Sequence, residues 1–210
     1  MSNSNEMHVS GHIQELVANP SPIGLLGLAM VTLVACTQKL GITDGTYLIV
    51  PWAIFLGAAA QFLAGIYDFK HNNTFGATAF CGYGFFWFAV AMTWLMKNAG
   101  LVGDIHQLGY AFLGYFIFTV FMTVGSMGAN KVLFIIFFLI DLLFLGLFMS
   151  TLEWGGPFWH EMAAFSELGI SIMSFYGSAA ILLNTHYGFT VLPIGAPFGS
   201  LYKKSLQLKK

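Results

Sequence analysis

The chain has 210 residues, of which 57% are hydrophobic, 17% aromatic and only 8% charged, with a formal net charge of −1. A soluble domain is about a quarter charged, so most of this surface faces something other than water, and the composition leaves no room for a separate soluble module. All eight cations are Lys, with no Arg, which leaves no basic patch for nucleic acid.

Taken in chain order, residues 1–18 form a polar N-terminal segment in which "HIQELVA" (12–18) predicts a short helix lying on the membrane surface. "NPSPIGLLGLAM" (19–30) then opens the first apolar run. Asn19 suits an N-cap, Pro20 the first helical position, and Pro22 the first turn, where no helical donor is lost. Free N–H groups and the helix dipole make this end a mild attractor of anions, and Gly24 and Gly27 allow a neighbouring backbone to approach. Apolar runs cover 22–39, 47–67, 75–96, 108–126, 131–151 and 164–186. A spanning helix needs about 20 apolar residues. The pattern therefore predicts an all-α, six-helix transmembrane domain over 19–195, followed by a basic tail over 196–210. Connections as short as "GSMGANK" (125–131) imply antiparallel neighbours. "LVAC" (33–36) has the look of a lipoprotein cleavage box, but Glu6 and Glu15 precede it and the first cation is Lys39, whereas a secretory signal starts positive.

Lys placement sets the orientation. With both termini cytoplasmic, Lys70, Lys131, Lys203, Lys204, Lys209 and Lys210 lie inside and Lys39 and Lys97 outside, which favours N-in, C-in. Trp52, Trp94, Trp154 and Trp159 then mark the outer interface, and Tyr67 and Tyr187 the inner one. The tail "KKSLQLKK" suits contact with anionic lipid headgroups or simple solvation.

No soluble-enzyme motif is present. His8, His12, His71, His106, His160 and His186 fall at run ends or in loops, so no metal or haem site and no cofactor is expected. Cys36 and Cys81 read as small core residues. Small residues mark helices one, two, three, four and six, consistent with close packing alone or with packing around a narrow lumen. Polar residues within the runs are Thr32, Thr37, Gln61, Thr78, Tyr83, Tyr115, Thr119, Thr123, Asp141, Ser171, Ser174, Tyr176 and Ser178. As a set these suit a path for a small, weakly polar solute, although each hydroxyl can equally bond its own backbone. Asp141, mid-run in "KVLFIIFFLIDLLFLGLF", is a carboxyl in an expensive place, either a proton-linked group or a partner in an inter-helix hydrogen bond. Glu153, Glu161 and Glu167 read as a solvated outer rim.

Three ordered stretches carry a resemblance. "NPSPIGLLGLAM" resembles the N-P-A-P-L-G-L signature of the acetate uptake transporter family, the succinate–acetate permeases; "NNTFGATAFCGYGFFW" (72–87) and "YGFTVLPIG" (187–195) are similar to two further motifs, with "AQFLAGIYDFK" (60–70) between them. The resemblance implies six transmembrane helices per protomer in the cell membrane, a homohexameric ring with one path per protomer, and passage of acetate, in some members succinate, as an anion channel or proton-linked permease. It places the constriction at Leu28, Tyr83 and Ile140. Leu28 stands where the family usually carries Phe, which implies a wider gate. It places Ala180 facing the path and Gln107 at the outer start of helix four, where some relatives carry an aromatic. It assigns no role to Asp141. The alternative from another class is a urea or short-amide channel of similar hexameric architecture; a non-transporting sensor is the third reading.

Overall fold

The computed structural model describes residues 17–199. The surface helix expected over 12–18 falls almost wholly, and the basic tail expected over 196–210 falls from residue 200 onward, outside the described residues, as do His8 and His12.

Helices α1 (Ser21–Lys39), α2 (Ile49–Lys70), α3 (Thr74–Asn98), α4 (Ile105–Ser126), α5 (Lys131–Thr151) and α6 (Phe158–Tyr187) are each long and apolar enough to cross a membrane. The expected runs correspond to them one for one. The largest difference is at α6, which begins at Phe158 rather than near 164. His160 and Glu161 interrupt the hydropathy of its first turn, but a helix start tolerates such residues and Pro157 precedes it in the cap position. Within α2, residues Ala53–Ala60 are wound as a π-helix, which no propensity in "AIFLGAAA" announces.

Caps sit where short polar side chains precede the apolar runs. Asn73 accepts from the Gly76 N–H (3.1 Å) and Asn130 from the Leu133 N–H (2.9 Å). Asp104 accepts from the His106 N–H (3.0 Å) and pairs with His106 Nδ1 (2.8 Å), which together hold its carboxyl below the usual range. At α1 regular helix starts at Ser21, one residue later than expected. Pro20 already has φ −81° and ψ −13°, and the Asn19 carboxamide accepts from the Ser21 N–H at 2.9 Å, the bond that an N-cap makes to the second helical residue. The turn from α5 to α6 runs through Gly155 (φ +84°) and Gly156 (φ +79°), backbone that side-chain-bearing residues rarely adopt.

α1 packs on α6 and α2, α3 on α2, and α5 between α4 and α6, while α3 and α4 meet chiefly through side chains. The ring of helices therefore closes in chain order. Small residues bring the backbones together: a Cβ on Gly27 would overlap the Leu56 carbonyl oxygen, and one on Gly84 would stand 3.1 Å from the Ala58 carbonyl oxygen. Ser171 Oγ donates to the Ala29 carbonyl (2.8 Å) and Ser178 Oγ to the Pro22 carbonyl (2.7 Å), stitching α6 to α1. Thr32, Thr37 and Thr119 bond back to their own helices.

Glu167 is not part of a solvated rim. It is 1% exposed and pairs with Lys39 Nζ at 2.9 Å, joining the end of α1 to α6. The α6 stripe facing α1 buries it, and a carboxylate held there needs a cation. Glu153 and Glu161 are exposed.

Two outcomes follow from this packing. Gly27→Val should lower the Tm in detergent, at a cost of about 1–3 kcal/mol or more. Gly114→Ala, which meets no atom within 4 Å, should leave the Tm unchanged or raise it. Lys39→Met or Glu167→Leu alone should each cost about 3–5 kcal/mol by stranding the other charge, and the double variant should recover most of that loss in the same melt.

Candidate functional site

The bundle encloses a cavity of about 630 Å³ that opens at the end where α1, α3 and α5 begin. Three asparagines stand at its mouth: Asn19 before α1, Asn73 before α3 and Asn130 before α5. Each carboxamide oxygen is turned to its own helix's N–H groups. Three helix N-termini, each with partial positive charge, thus converge on one opening. The sequence reading singled out only the first of them. A short polar residue before each odd-numbered helix was the available signal, but its meaning depends on the three ends meeting.

The rim is completed from the C-terminal side. Asn184 Oδ1 accepts from the Val191 N–H (2.7 Å) and Asn184 Nδ2 donates to the Leu192 carbonyl (2.8 Å), folding the chain after α6 back over the opening. Tyr176 donates to the Pro193 carbonyl (2.7 Å), and the Val132 N–H donates to the Ile194 carbonyl (3.1 Å), so the stretch "YGFTVLPIG" is anchored to the start of α5. Ile194 lines the mouth as a result.

At the inner end the wall is Leu28, Gln61, Ala79, Tyr83, Phe137 and Ile140. Leu28, Tyr83 and Ile140, the three residues that the resemblance nominated, come together here from α1, α3 and α5. Tyr83 is 4% exposed and its hydroxyl is engaged with Thr119 Oγ1 at 2.8 Å. Past Tyr83, away from the mouth, Phe86 packs edge-on against Phe144 (5.0 Å between centroids) and Tyr115 (4.9 Å), and Phe112 joins them. These rings fill the bundle beyond the cavity.

The remaining expected residues lie elsewhere. Pro20, Pro22 and Gly24 are not in the cavity wall; Gly24 is covered by the Phe80 ring, and Pro22 offers its carbonyl to Ser178. Ala180 is fully buried behind the wall, and Gln107 is exposed at the start of α4. Asp141 points between α5 and α4, where Thr123 Oγ1 donates to its Oδ2 at 2.7 Å and its Oδ1 is buried without a partner. Of the polar residues expected within the runs, only Gln61 and Tyr83 reach the cavity. Most of the hydroxyls instead hold helices together or bond to their own turns, while Ser174 Oγ is buried without a partner.

No charged side chain lines the cavity. The nearest new feature is Asp68, overlooked in sequence because it follows the apolar run. It is 2% exposed, accepts from Asn73 Nδ2 at 3.0 Å and lies against Gly76, directly behind the mouth.

The sequence and the fold have counterparts. The chain is 35% identical to the succinate-acetate/proton symporter SatP of Escherichia coli (strain K12) over 182 residues, covering 85% of this chain and 96% of that protein. It is 28% identical to acetate permease A of Emericella nidulans over 202 residues, 84% of this chain and 65% of the relative. Its fold superposes on the structure of the bacterial acetate channel SatP with a TM-score of 0.81 at 34% identity, covering 86% of this chain and 100% of that one. Residues 4–196 match the GPR1/FUN34/yaaH family. A match that long, on a bundle of six helices apolar enough to span the cell membrane, settles the kinship: the chain belongs to the GPR1/FUN34/yaaH family of multi-pass membrane proteins.

Proposed function

We propose that this chain carries acetate, and with it other short carboxylates such as succinate, across the cell membrane through the cavity of each protomer of a homohexamer. The observation that carries the reading is an uncharged cavity with three helix N-termini at its mouth and Leu28, Tyr83 and Ile140 at its inner end. Each N-terminus favours an anion by about 0.3–1 kcal/mol. Three of them enrich a carboxylate at the mouth by roughly one to two orders of magnitude without the tight hold of an Arg fork. The solute then sheds water against Leu28, Tyr83 and Ile140. Lys70 and Lys131 lie at the mouth end and Lys39 and Lys97 at the other, which supports a mouth facing the cytoplasm. The relatives, named as a symporter, a permease and a channel, agree on acetate.

Linkage to protons needs the proton either on the protein or on the solute. Asp141 is the candidate for the first route, acting from behind Ile140. Loss of proton-driven uptake in Asp141→Asn with acetate exchange retained would assign it that role.

The uncharged wall also favours the second reading, a urea or short-amide channel. Uptake of labelled acetate into proteoliposomes separates the two. Acetate flux that succinate reduces is expected; urea flux without acetate flux would overturn the proposal. In the same assay Leu28→Trp should lower acetate flux about tenfold or more, equivalent to at least 1.4 kcal/mol on the barrier, and Leu28→Ala should raise it.

A further inference from the structure

Gln61 is a polar side chain at the inner end of the cavity whose bonding capacity the protein does not exhaust. It is 1% exposed and stands beside Leu28 and Tyr83. Its orientation has a backbone cause. At the end of the π-helical stretch the Gln61 N–H turns to the Ala58 carbonyl, and the Gln61 side chain supplies the Gly57 carbonyl instead, Nε2 donating at 2.7 Å. A carbonyl only accepts, so the NH₂ end of the amide is pinned there. That leaves one N–H and the Oε1 carbonyl for whatever fills the cavity. Tyr83, the neighbouring polar group, is already committed to Thr119.

A carboxamide with one N–H and one carbonyl free is complementary to an undissociated carboxylic acid. The acid O–H donates to Oε1 while its carbonyl accepts the remaining N–H. A carboxylate has acceptors only; it would gain the N–H and meet Oε1 lone pair against lone pair. No cation lines this cavity to compensate. The titratable groups on the helices packed around Gln61 face other partners. On α1, Cys36 Sγ donates to the Leu33 carbonyl and Lys39 is paired with Glu167 of α6. On α3, Cys81 lies against Gly65. Asp68, two turns along α2, faces Asn73, and Asp141 of α5 faces Thr123. At pH 7 an acid with a pKa near 4 is undissociated in about one molecule per thousand, equivalent to about 4 kcal/mol at 1.36 kcal/mol per tenfold. Stripping water from the ion in a site without a cation is the larger penalty.

We propose that Gln61 receives the solute at the inner end of the cavity and that its carboxamide selects the undissociated acid over the carboxylate. The proton then travels on the solute and needs no carboxyl of the protein. This rests on the acetate reading and deepens it.

The test is initial-rate acetate uptake into proteoliposomes between pH 5 and 8, with flux into protein-free liposomes subtracted. For the wild type, KM expressed as total acetate should rise about tenfold per pH unit once the pH exceeds the acid's pKa, and KM expressed as undissociated acid should stay constant. Acetamide, neutral and carrying the same donor and acceptor, should compete. Gln61→Leu should raise KM about 5- to 100-fold through the loss of two hydrogen bonds, with the maximal rate changed far less, a split that a merely misfolded variant would not give. A KM in total acetate that is flat with pH, failure of acetamide to compete with the wild type, or an unchanged KM in Gln61→Leu overturns the assignment while leaving acetate transport intact. Absence of acetate uptake by the wild type at every pH overturns the function itself and this inference with it.

Discussion

The structure depends on the contact between the backbones of α1, α2 and α3. Gly27 presses against the Leu56 carbonyl, and Gly84 against the Ala58–Phe62 turn of the same helix. In lipid no hydrophobic force drives helices together, so dispersion over such close contacts, with hydrogen bonds across them, must hold the bundle. The residues next to these glycines inherit their position. Leu28 follows Gly27, Tyr83 precedes Gly84, and Gln61 ends the wide π-helical stretch of α2 between them. The inner end of the cavity is thus as narrow as the helix crossings permit, and its three sides are set by backbone contact.

Electrostatics is organised around that narrow, uncharged space. Among the described residues, the buried carboxyl and amine groups are kept out of the cavity wall and given their own partners. Lys39 neutralises Glu167 between α1 and α6, Thr123 engages Asp141 between α4 and α5, and Asn73 engages Asp68 behind the mouth. What meets a solute is made of dipoles: three helix N-termini at the opening and a carboxamide within. Dipoles attract an anion by a fraction of what a buried cation would, so a solute is drawn in and released without being trapped.

Much of this was legible from residue order. Hydropathy alone located six spans, because a segment crossing hydrocarbon must be apolar along its whole length. A short polar residue before the first apolar run located one cap, Asn19, since a helix start needs a nearby acceptor; Asn73, Asp104 and Asn130 obey the same rule and emerged with the structure. The sixth helix was placed late because His160 and Glu161 break its hydropathy without breaking its hydrogen bonding. Glu167 was misread because its burial depends on which face of α6 meets α1, and on Lys39, 128 residues away in the chain. Asp68 was overlooked and Gln61 noted without a role. Neither lies in a local motif that announces chemistry.

The sequence by itself determined the class of the protein, the number of spanning helices and the residues able to start and stop them. It also determined the family, because these depend on composition, local capping and motif order, all of which are one-dimensional. Only the tertiary structure decided that Asn19, Asn73 and Asn130 share one mouth, that the hydroxyls serve packing rather than the path, and that the wall carries no charge. Those outcomes depend on which face of each helix turns inward. In a chain apolar on nearly every face, that choice is made by backbone contacts at small residues and by the pairing of distant polar groups, which no periodicity records.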